Sequence, residues 1–454
     1  MKKIFGFGVG MILGFILAVS VWGFDQRPAP PQSRPVALVG GTVHTVTGGE
    51  LAGAAILFDK GKITAIGRGV SLPAGTEVID VAGKHIYPGL FDAFTNLGLT
   101  EIEEVRATKD VTETGRINPN VRAEVAINPE SELIPVARAN GVTTAITSPE
   151  GGIISGTAAV INLDGWTWEE MTFQAPAALL VNWPQMTPQR GWWVTESEEE
   201  QKKNRERNLK ELHQAFKDAR AYWTAKKAAA LNGKNLPTDM RWEAMIPVFE
   251  GKLPVLVMAG NLQQIQAAVA WAEEEKIKII IGGGYDAWRA AELLKAKNIP
   301  VLVGGTLRTP FRRYEDYDLP YALPGKLYEA GVKFAIYGGG WASNERNLPY
   351  HAAMAAAYGL PKEAALKTVT LFPAEIFGVA DRIGSLEVGK DATLIVTTGD
   401  PLEITSNVEL EFIQGKKVDL TSRHTQLYEK YKAKYEQKAP TNGLMRAGEG
   451  EETK

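Results

Sequence analysis

Three glutamates in one short segment could bind a cation or transfer protons at the end of a predicted strand. They are Glu101, Glu103 and Glu104, which follow a predicted strand. Carboxylate oxygens are the ligands that Ca²⁺ and Mg²⁺ prefer, and a carboxyl group with a raised pKa can act as a general acid. The spacing is not that of an EF-hand, so a solvated acidic turn is the alternative interpretation.

The five histidines do not form a metal-binding motif, because no two of them are separated by one or three residues. Zinc-type ions are usually held by histidines at such spacings or by cysteines, and the chain contains no cysteine. The lack of cysteine also excludes thiol catalysis and disulfide bonds. We interpret each histidine as a structural or surface residue: His44, His85, His213, His351 and His424.

Short apolar runs alternate with helical stretches between residues 88 and 385, a pattern typical of buried parallel strands in α/β proteins. Residues 36–87 and 386–420 have the alternating pattern of exposed strands, with Gly-rich turns. We therefore predict an α/β fold: a (β/α)8 TIM-like barrel at residues 88–385 and a small β-sandwich domain built from both termini. A helical and then disordered tail is predicted at residues 421–454.

The N-terminus predicts export. Two lysines precede an uncharged stretch at residues 4–24, which is the arrangement of a signal peptide. We predict a signal peptide at residues 1–23 and a linker at residues 24–35. An uncleaved anchor is the alternative, because about 20 apolar residues can span a bilayer. The globular part is expected in the periplasm or outside the cell, with membrane contact only through this segment.

Two segments resemble those of a known family. Residues 83–93 read GKHIYPGLFDA, and residues 373–378 and 382–392 read PAEIFG and RIGSLEVGKDA. They resemble the entry into barrel strand one, and the return into the β-sandwich, of the amidohydrolase superfamily, particularly its imidazolonepropionase-like branch. Their order and spacing match, and the resemblance covers residues 36–420.

The resemblance implies hydrolysis of carbon–nitrogen bonds by a metal-bound hydroxide at the carboxyl ends of the barrel strands. It also indicates where the metal ligands should stand. The His-x-His position carries Phe94 and Asn96, and the other ligand positions carry Asn182, Met258, Gly282 and Gly339. None of these is a histidine, lysine or acid, so we expect no metal cofactor. A zinc-type ion is expected only if the true ligands lie elsewhere.

Aromatic, basic and acidic residues follow the predicted strand ends, where the cleft of a barrel is expected. Trp183 and Trp341 could stack on a ligand, and Arg308 could pair with an anionic group. Glu101 follows strand one at the same face. Packing of a lid for the tryptophans and a solvated surface for the arginine are the alternatives.

Two glycine runs end predicted strands at residues 282–284 and 338–340. Their backbone N–H groups could form an anion-binding nest, but glycine more often simply allows a tight turn. His351 follows a loop at this same end of the barrel.

Two functions of different classes follow. The first is a hydrolase acting on non-peptide carbon–nitrogen bonds of cyclic amides or amidines, with a rearranged or metal-free site. The second is a non-catalytic exported ligand-binding protein, or the partner subunit of an active amidohydrolase in a homo- or hetero-oligomer. A small-molecule ligand is expected in either case. The formal charge of -3 predicts no nucleic-acid partner.

Overall fold

The computed structural model describes residues 26–192 and 194–437. The predicted signal segment at residues 1–23 and the predicted disordered end of the tail lie outside these residues. In the part of the chain that the structure describes, no helix has the length and apolar character needed to cross a membrane.

The described residues contain the following strands in chain order: β1 (Val36–His44), β2 (Glu50–Asp59), β3 (Lys62–Gly67), β4 (Glu77–Asp80), β5 (His85–Pro88), β6 (Leu90–Thr95), β7 (Val142–Thr147), β8 (Ile154–Asn162), β9 (Thr172–Asn182), β10 (Val255–Ala259), β11 (Ile279–Gly283), β12 (Val301–Val303), β13 (Phe334–Ile336), β14 (Leu394–Thr397), β15 (Val408–Ile413) and β16 (Lys416–Lys417).

The helices within the same residues are α1 (Leu133–Arg138), α2 (Trp168–Met171), α3 (Glu198–Leu231), α4 (Met240–Phe249), α5 (Leu262–Glu275), α6 (Ala291–Ala296), α7 (Leu319–Ala330), α8 (Leu348–Ala357), α9 (Lys362–Thr368), α10 (Leu371–Ile376) and α11 (Arg423–Glu436). The 34-residue helix α3 is continuous, and Ser197 and Glu200 form a capping box at its start.

The first sheet combines strands from both ends of the chain. Its order is β16-β15-β14-β5-β1-β2-β3, and β4 pairs with the first part of β1. Strand β5 joins the two parts, because it runs parallel to β1 and antiparallel to β14. The core of this sheet contains Phe58 and Phe412 in edge-to-face contact, with 5.0 Å between ring centroids. This sheet forms the small β domain that the sequence predicts.

The second sheet is an almost closed eight-stranded barrel in the order β6 to β13. The pair β6–β7 and the strands β9 to β13 are parallel, as expected. Strand β8 departs from the predicted alternation: it runs antiparallel to both neighbours, and no helix separates it from β7. We did not predict β8, because its small residues give no marked apolar run, although all nine are buried.

Alternation along the parallel strands divides their side chains between two cores. Leu180 and Leu256 belong to the core inside the barrel, whereas Leu179 and Val257 belong to the core between the barrel and its helices. Side chains in a strand alternate with a period of two. The parity of a residue therefore decides whether it faces the barrel interior.

Side chains, not a strand ladder, close the barrel between β6 and β13. Asp92 Oδ1 accepts a hydrogen bond from the Phe94 N–H at 2.9 Å, and its Oδ2 accepts one from the Gly338 N–H at 2.8 Å. Asn96 Oδ1 accepts a third from the Ala342 N–H at 2.9 Å. Among the described residues, β6 and β13 are not paired in a ladder. The last two bonds thus link β6 and the residue after it to the segment that follows β13.

Candidate functional site

A cavity of about 750 Å³ opens where β11, β12 and β13 end, on the face of the barrel where active sites are expected. We call it the cleft. Five glycines line it: Gly283, Gly304, Gly305, Gly338 and Gly339. A Cβ atom at Gly305 would lie 2.7 Å from Cε1 of His351, so glycine there keeps this part of the cleft open.

Aromatic side chains form the other walls of the cleft. Tyr285 and Phe311 pack with their ring centroids 4.6 Å apart, and Tyr337 is buried at the base. Burial raises the pKa of the Tyr337 hydroxyl, so this group stays protonated. Trp341 lies at the rim and is 60% exposed. The cleft therefore offers ring faces to a small ligand, as ligand-binding pockets commonly do.

The loop between β12 and α7 is anchored by one of its arginines. Arg312 donates hydrogen bonds to both carboxylate oxygens of Asp286, at 2.8 and 2.7 Å, and to Glu315 at 2.6 Å. Asp286 also accepts a hydrogen bond from the Leu262 N–H, at the start of α5. Because a bidentate pair fixes both position and orientation, this loop is held rigidly beside the cleft.

Arg308, in the same loop, differs from Arg312 because its charge is unpaired. Its guanidinium carbon lies 4.1 Å from the Phe311 ring centroid, and Nη1 donates to the Thr309 carbonyl at 3.2 Å. No carboxylate of residues 26–192 or 194–437 lies within 4.0 Å of it. Burial lowers the pKa of Arg308, and the nearby Glu315 opposes that shift.

His351, which the sequence left as a candidate, forms part of the cleft wall. Burial lowers its pKa to about 4, so the imidazole is neutral near pH 7. Its Nδ1 accepts a hydrogen bond from the Leu307 N–H at 3.2 Å and lies 3.3 Å from Thr306 Oγ1. The ring therefore supports the start of the loop that carries Arg308.

The structure places Phe94 and Asn96 beside the cleft and gives both of them structural contacts. The Phe94 ring packs edge-to-face on Tyr337, with 5.3 Å between centroids. The Asn96 amide donates to Glu150 at 3.2 Å, while its oxygen accepts from Ala342 as described above. Both polar ends of Asn96 are thus occupied.

The remaining ligand positions likewise carry no histidine, lysine or acid. Asn182 Nδ2 donates to the Gly151 and Gly152 carbonyls at 3.2 Å and to Ser155 Oγ at 2.9 Å. Met258 packs beside Gly282, where a Cβ atom would collide with its sulfur. Gly339 lines the cleft with no side chain.

Two of the predicted cleft residues lie elsewhere. Trp183 is 6% exposed and packs on Trp271, with 5.4 Å between ring centroids, in the core between the barrel and its helices. It shares the parity of Leu179, which explains its outward direction. Glu101 accepts a hydrogen bond from the Glu132 N–H at 2.9 Å, next to α1, and does not line the cleft. Trp341 and Arg308 line the cleft.

Comparisons with known proteins agree with this architecture. The Amidohydrolase family model matches residues 325–422. The crystal structure of an amidohydrolase from Thermotoga maritima MSB8 superposes with a TM-score of 0.76 at 29% identity, covering 85% of this chain and 99% of that one. The chain belongs to the amidohydrolase superfamily. This confirms the family predicted from residues 83–93 and 373–392.

More distant matches show less about this chain. Amidohydrolase tasK of Hapsidospora irregularis is 22% identical over 378 residues, which are 77% of this chain. The chain spans only 38% of the length of that relative. Molinate hydrolase superposes with a TM-score of 0.54 at 16% identity, covering 87% of this chain and 95% of that one, which shows the fold alone.

The residues of this amidohydrolase-family chain do not fit the metal that the superfamily usually binds. A phenyl ring and glycine offer no donor atoms, and the Asn96 oxygen is engaged by the Ala342 N–H. Within residues 26–192 and 194–437, no three histidines or acids are arranged to hold an ion. No catalytic step through a metal is therefore derived for this chain.

We expect the purified protein to contain no stoichiometric zinc-type metal, because the ligand positions lack imidazole and carboxylate groups. Elemental analysis after extensive dialysis measures this directly. We also expect no chelator-sensitive hydrolysis of cyclic amides or dipeptides. One tightly bound ion per chain would contradict the expectation and would place the ligands at other residues.

Sequence reasoning missed a buried pair of carboxyl groups behind the cleft. Asp92 and Glu345 are both fully buried and flank Gly338. Burial and the neighbouring Asp92 raise the pKa of Glu345 well above its ordinary value. Burial also raises the pKa of Asp92, but two backbone hydrogen bonds oppose that shift, so the proton of the pair lies on Glu345. Asp92 lies in the segment at residues 83–93 quoted above, but nothing in the sequence marks Glu345.

The structure also brings together two histidines that are far apart in sequence. His44 Nε2 lies 2.8 Å from His85 Nδ1, because β1 and β5 pair in the small β domain. His44 also contacts Glu50, with 3.1 Å between Nδ1 and Oε1, and stacks on Tyr87. These contacts satisfy the rings within the sheet, which agrees with a structural role for both.

Proposed function

We propose that the cleft binds a small organic molecule and that this chain does not hydrolyse carbon–nitrogen bonds through a metal-bound hydroxide. The observation that carries the proposal is the replacement of metal donors by structural groups beside a cavity of about 750 Å³. Cavities of this size with aromatic walls and few polar groups are typical of small-molecule sites.

Of the two functions that follow from the sequence, this proposal is the non-catalytic one. The superfamily reaction on cyclic amides or amidines needs an activated water, and zinc-type ions supply it by lowering the pKa of that water. The cleft contributes a neutral imidazole and a protonated phenol, from His351 and Tyr337. The imidazole is already engaged by the Leu307 N–H and by the backbone of Gly338, so it is a poor base for activating water.

Association with a related amidohydrolase is a second candidate role. Aromatic residues near the cleft are unusually exposed: Phe311, Tyr314 and Tyr317 are 61%, 73% and 74% exposed. Exposed apolar groups close together often mark interaction surfaces. Co-purification from the native source distinguishes a partner subunit from a separate binding protein.

Export remains part of the proposal. It is supported by the two lysines followed by the uncharged stretch at residues 4–24. We propose a periplasmic or extracellular location for the folded part, with membrane contact only through this N-terminal segment. Sequencing the N-terminus of the mature protein distinguishes a cleaved signal peptide from a retained anchor.

Ligand binding is expected to depend on Trp341. Replacing it with alanine removes a ring at the rim of the cleft but little buried area, so we expect unchanged folding and roughly tenfold weaker binding. The measurement is a thermal-shift screen of small aromatic compounds, acidic and neutral, followed by calorimetric titration of the hits.

Trp166→Ala is the matched control, because Trp166 is also 60% exposed and does not line the cleft. Hits that bind both variants equally well would place the ligand outside the cleft. The absence of any hit for the wild-type protein would also contradict the proposed function.

A further inference from the structure

We infer that the ligand of the cleft is a small aromatic monocarboxylic acid whose carboxylate pairs with Arg308. The inference rests on the proposed function, because it assumes that the cleft is a binding site. It goes further by naming the charge, the acid group and the residue that recognises it.

The unpaired guanidinium of Arg308 is the first reason. Its loop contains three arginines: Arg312 is held by two carboxylates, Arg313 is exposed, and Arg308 lines the cleft without an acidic partner among the described residues. A half-buried cation with only one carbonyl contact retains several unused N–H groups. A planar carboxylate can accept two of them side by side.

The charge balance of the cleft is the second reason. No carboxylate is among the residues that line it, and His351 is neutral near pH 7. Of the acids beside the lining, Asp92 behind Gly338 is satisfied by two backbone N–H groups, and Asp286 and Glu315 are paired with Arg312. Arg308 is thus the single formal charge of the lining. One positive charge matches a monoanion better than a dianionic phosphate, since the second charge would stay uncompensated.

The backbone after β13 adds donors at the same place. Gly339 and Gly340 both have positive φ, 102° and 87°, a conformation that glycine adopts readily. Their N–H groups have no acceptor within the described ranges. Successive free N–H groups of this kind favour anions, and Gly339 lines the cleft.

The aromatic part of the ligand follows from the walls. Tyr285, Phe311 and Trp341 present ring faces and edges beside Arg308. Planar apolar groups pack well on such rings. The Phe311 ring lies under the guanidinium, so the cation and the apolar wall are adjacent. A ligand with a ring and a carboxylate one or two bonds apart satisfies both features.

The test is calorimetric titration of the full-length protein with benzoate and indole-3-acetate, with their neutral amides, and with inorganic phosphate. We expect the carboxylates to bind at least roughly tenfold more tightly than the amides, because a charge-assisted pair is lost in the amide. Arg308→Gln is expected to reduce carboxylate affinity to that of the amide, and Arg308→Lys to retain part of it.

Arg313→Gln is the matched control, since it removes the same charge from the same loop outside the cleft. Unchanged carboxylate binding by this variant, with loss in Arg308→Gln, supports the inference. Equal binding of carboxylates and amides, stronger binding of phosphate, or no binding of any probe would overturn it. If amides bind as tightly as the carboxylates and Trp341→Ala weakens both, the proposed function stands while this inference fails.

Discussion

Gly338→Ala is expected to destabilise the folded protein by about 3 kcal/mol, the upper part of the range for forcing an atom into a packed interior. A Cβ atom there would lie 2.8 Å from Glu345 Oε2 and 2.9 Å from Asp92 Oδ2. Both carboxyl groups are fully buried, so neither can move into solvent. Their displacement would also strain the hydrogen bond from Gly338 N–H to Asp92, which helps to close the barrel. Chemical denaturation measures the free energy of unfolding.

Gly339→Ala provides the comparison. Gly339 has positive φ, but a Cβ atom there would meet no atom within 4 Å, so backbone strain of about 1 kcal/mol is the expected cost. Backbone conformation alone would rank the two substitutions in the opposite order. In a Glu345→Ala background, Gly338→Ala should lower the free energy of unfolding by clearly less, because one of the two colliding groups is absent. An equal cost in both backgrounds would exclude the carboxyl pair as the cause.

Glu345→Gln is expected to make the protein more stable than the wild type at alkaline pH. Burial and Asp92 raise the pKa of Glu345 above the ordinary 4.5, so the folded state favours its protonated form. The stability that depends on this proton is fully present below pH 4.5. It is lost as pH rises towards the raised pKa, by up to about 1.4 kcal/mol per pH unit. Glutamine cannot ionise, so the variant escapes this loss.

Unfolding midpoints in urea, measured at about pH 5 and about pH 8, test this pH dependence. The urea midpoint of the variant, relative to that of the wild type, should be higher at about pH 8 than at about pH 5. Glu104→Gln is the matched control, because it makes the same change at an exposed glutamate outside the buried pair. A Glu345→Gln effect of the same size at both pH values would show that Glu345 is not the titrating group.

The fold was largely predictable because two local segments mark where the chain passes between the small β domain and the barrel. The GKHIYPGLFDA segment crosses from β5 into β6, where the small β domain meets the barrel. The RIGSLEVGKDA segment precedes β14, where the chain returns. Strand β8 was not predictable in this way. Its pairing with β7 and β9 buries a stretch of small residues whose pattern does not distinguish it from a loop.

Positions in the site were predictable only where residue identity or strand parity was enough. Phenylalanine or glycine at a ligand position lacks a donor atom whatever the surroundings. Trp183 directly follows β9 and is an even number of residues from Leu179, so continuing the alternation of that strand assigns it to the outer core. Its position directly after the strand favours the cleft, whereas the direction of its side chain does not.

The sequence by itself determined the family and the barrel with its small β domain. Only the tertiary structure decided which charges are free. Arg308, Arg312 and Arg313 are the same residue type in one loop. Asp286, which follows a different strand, pairs with Arg312. Asp92 and Glu345 are likewise brought together by closure of the barrel. Pairing and burial depend on contacts between distant segments, whereas residue type and local spacing do not.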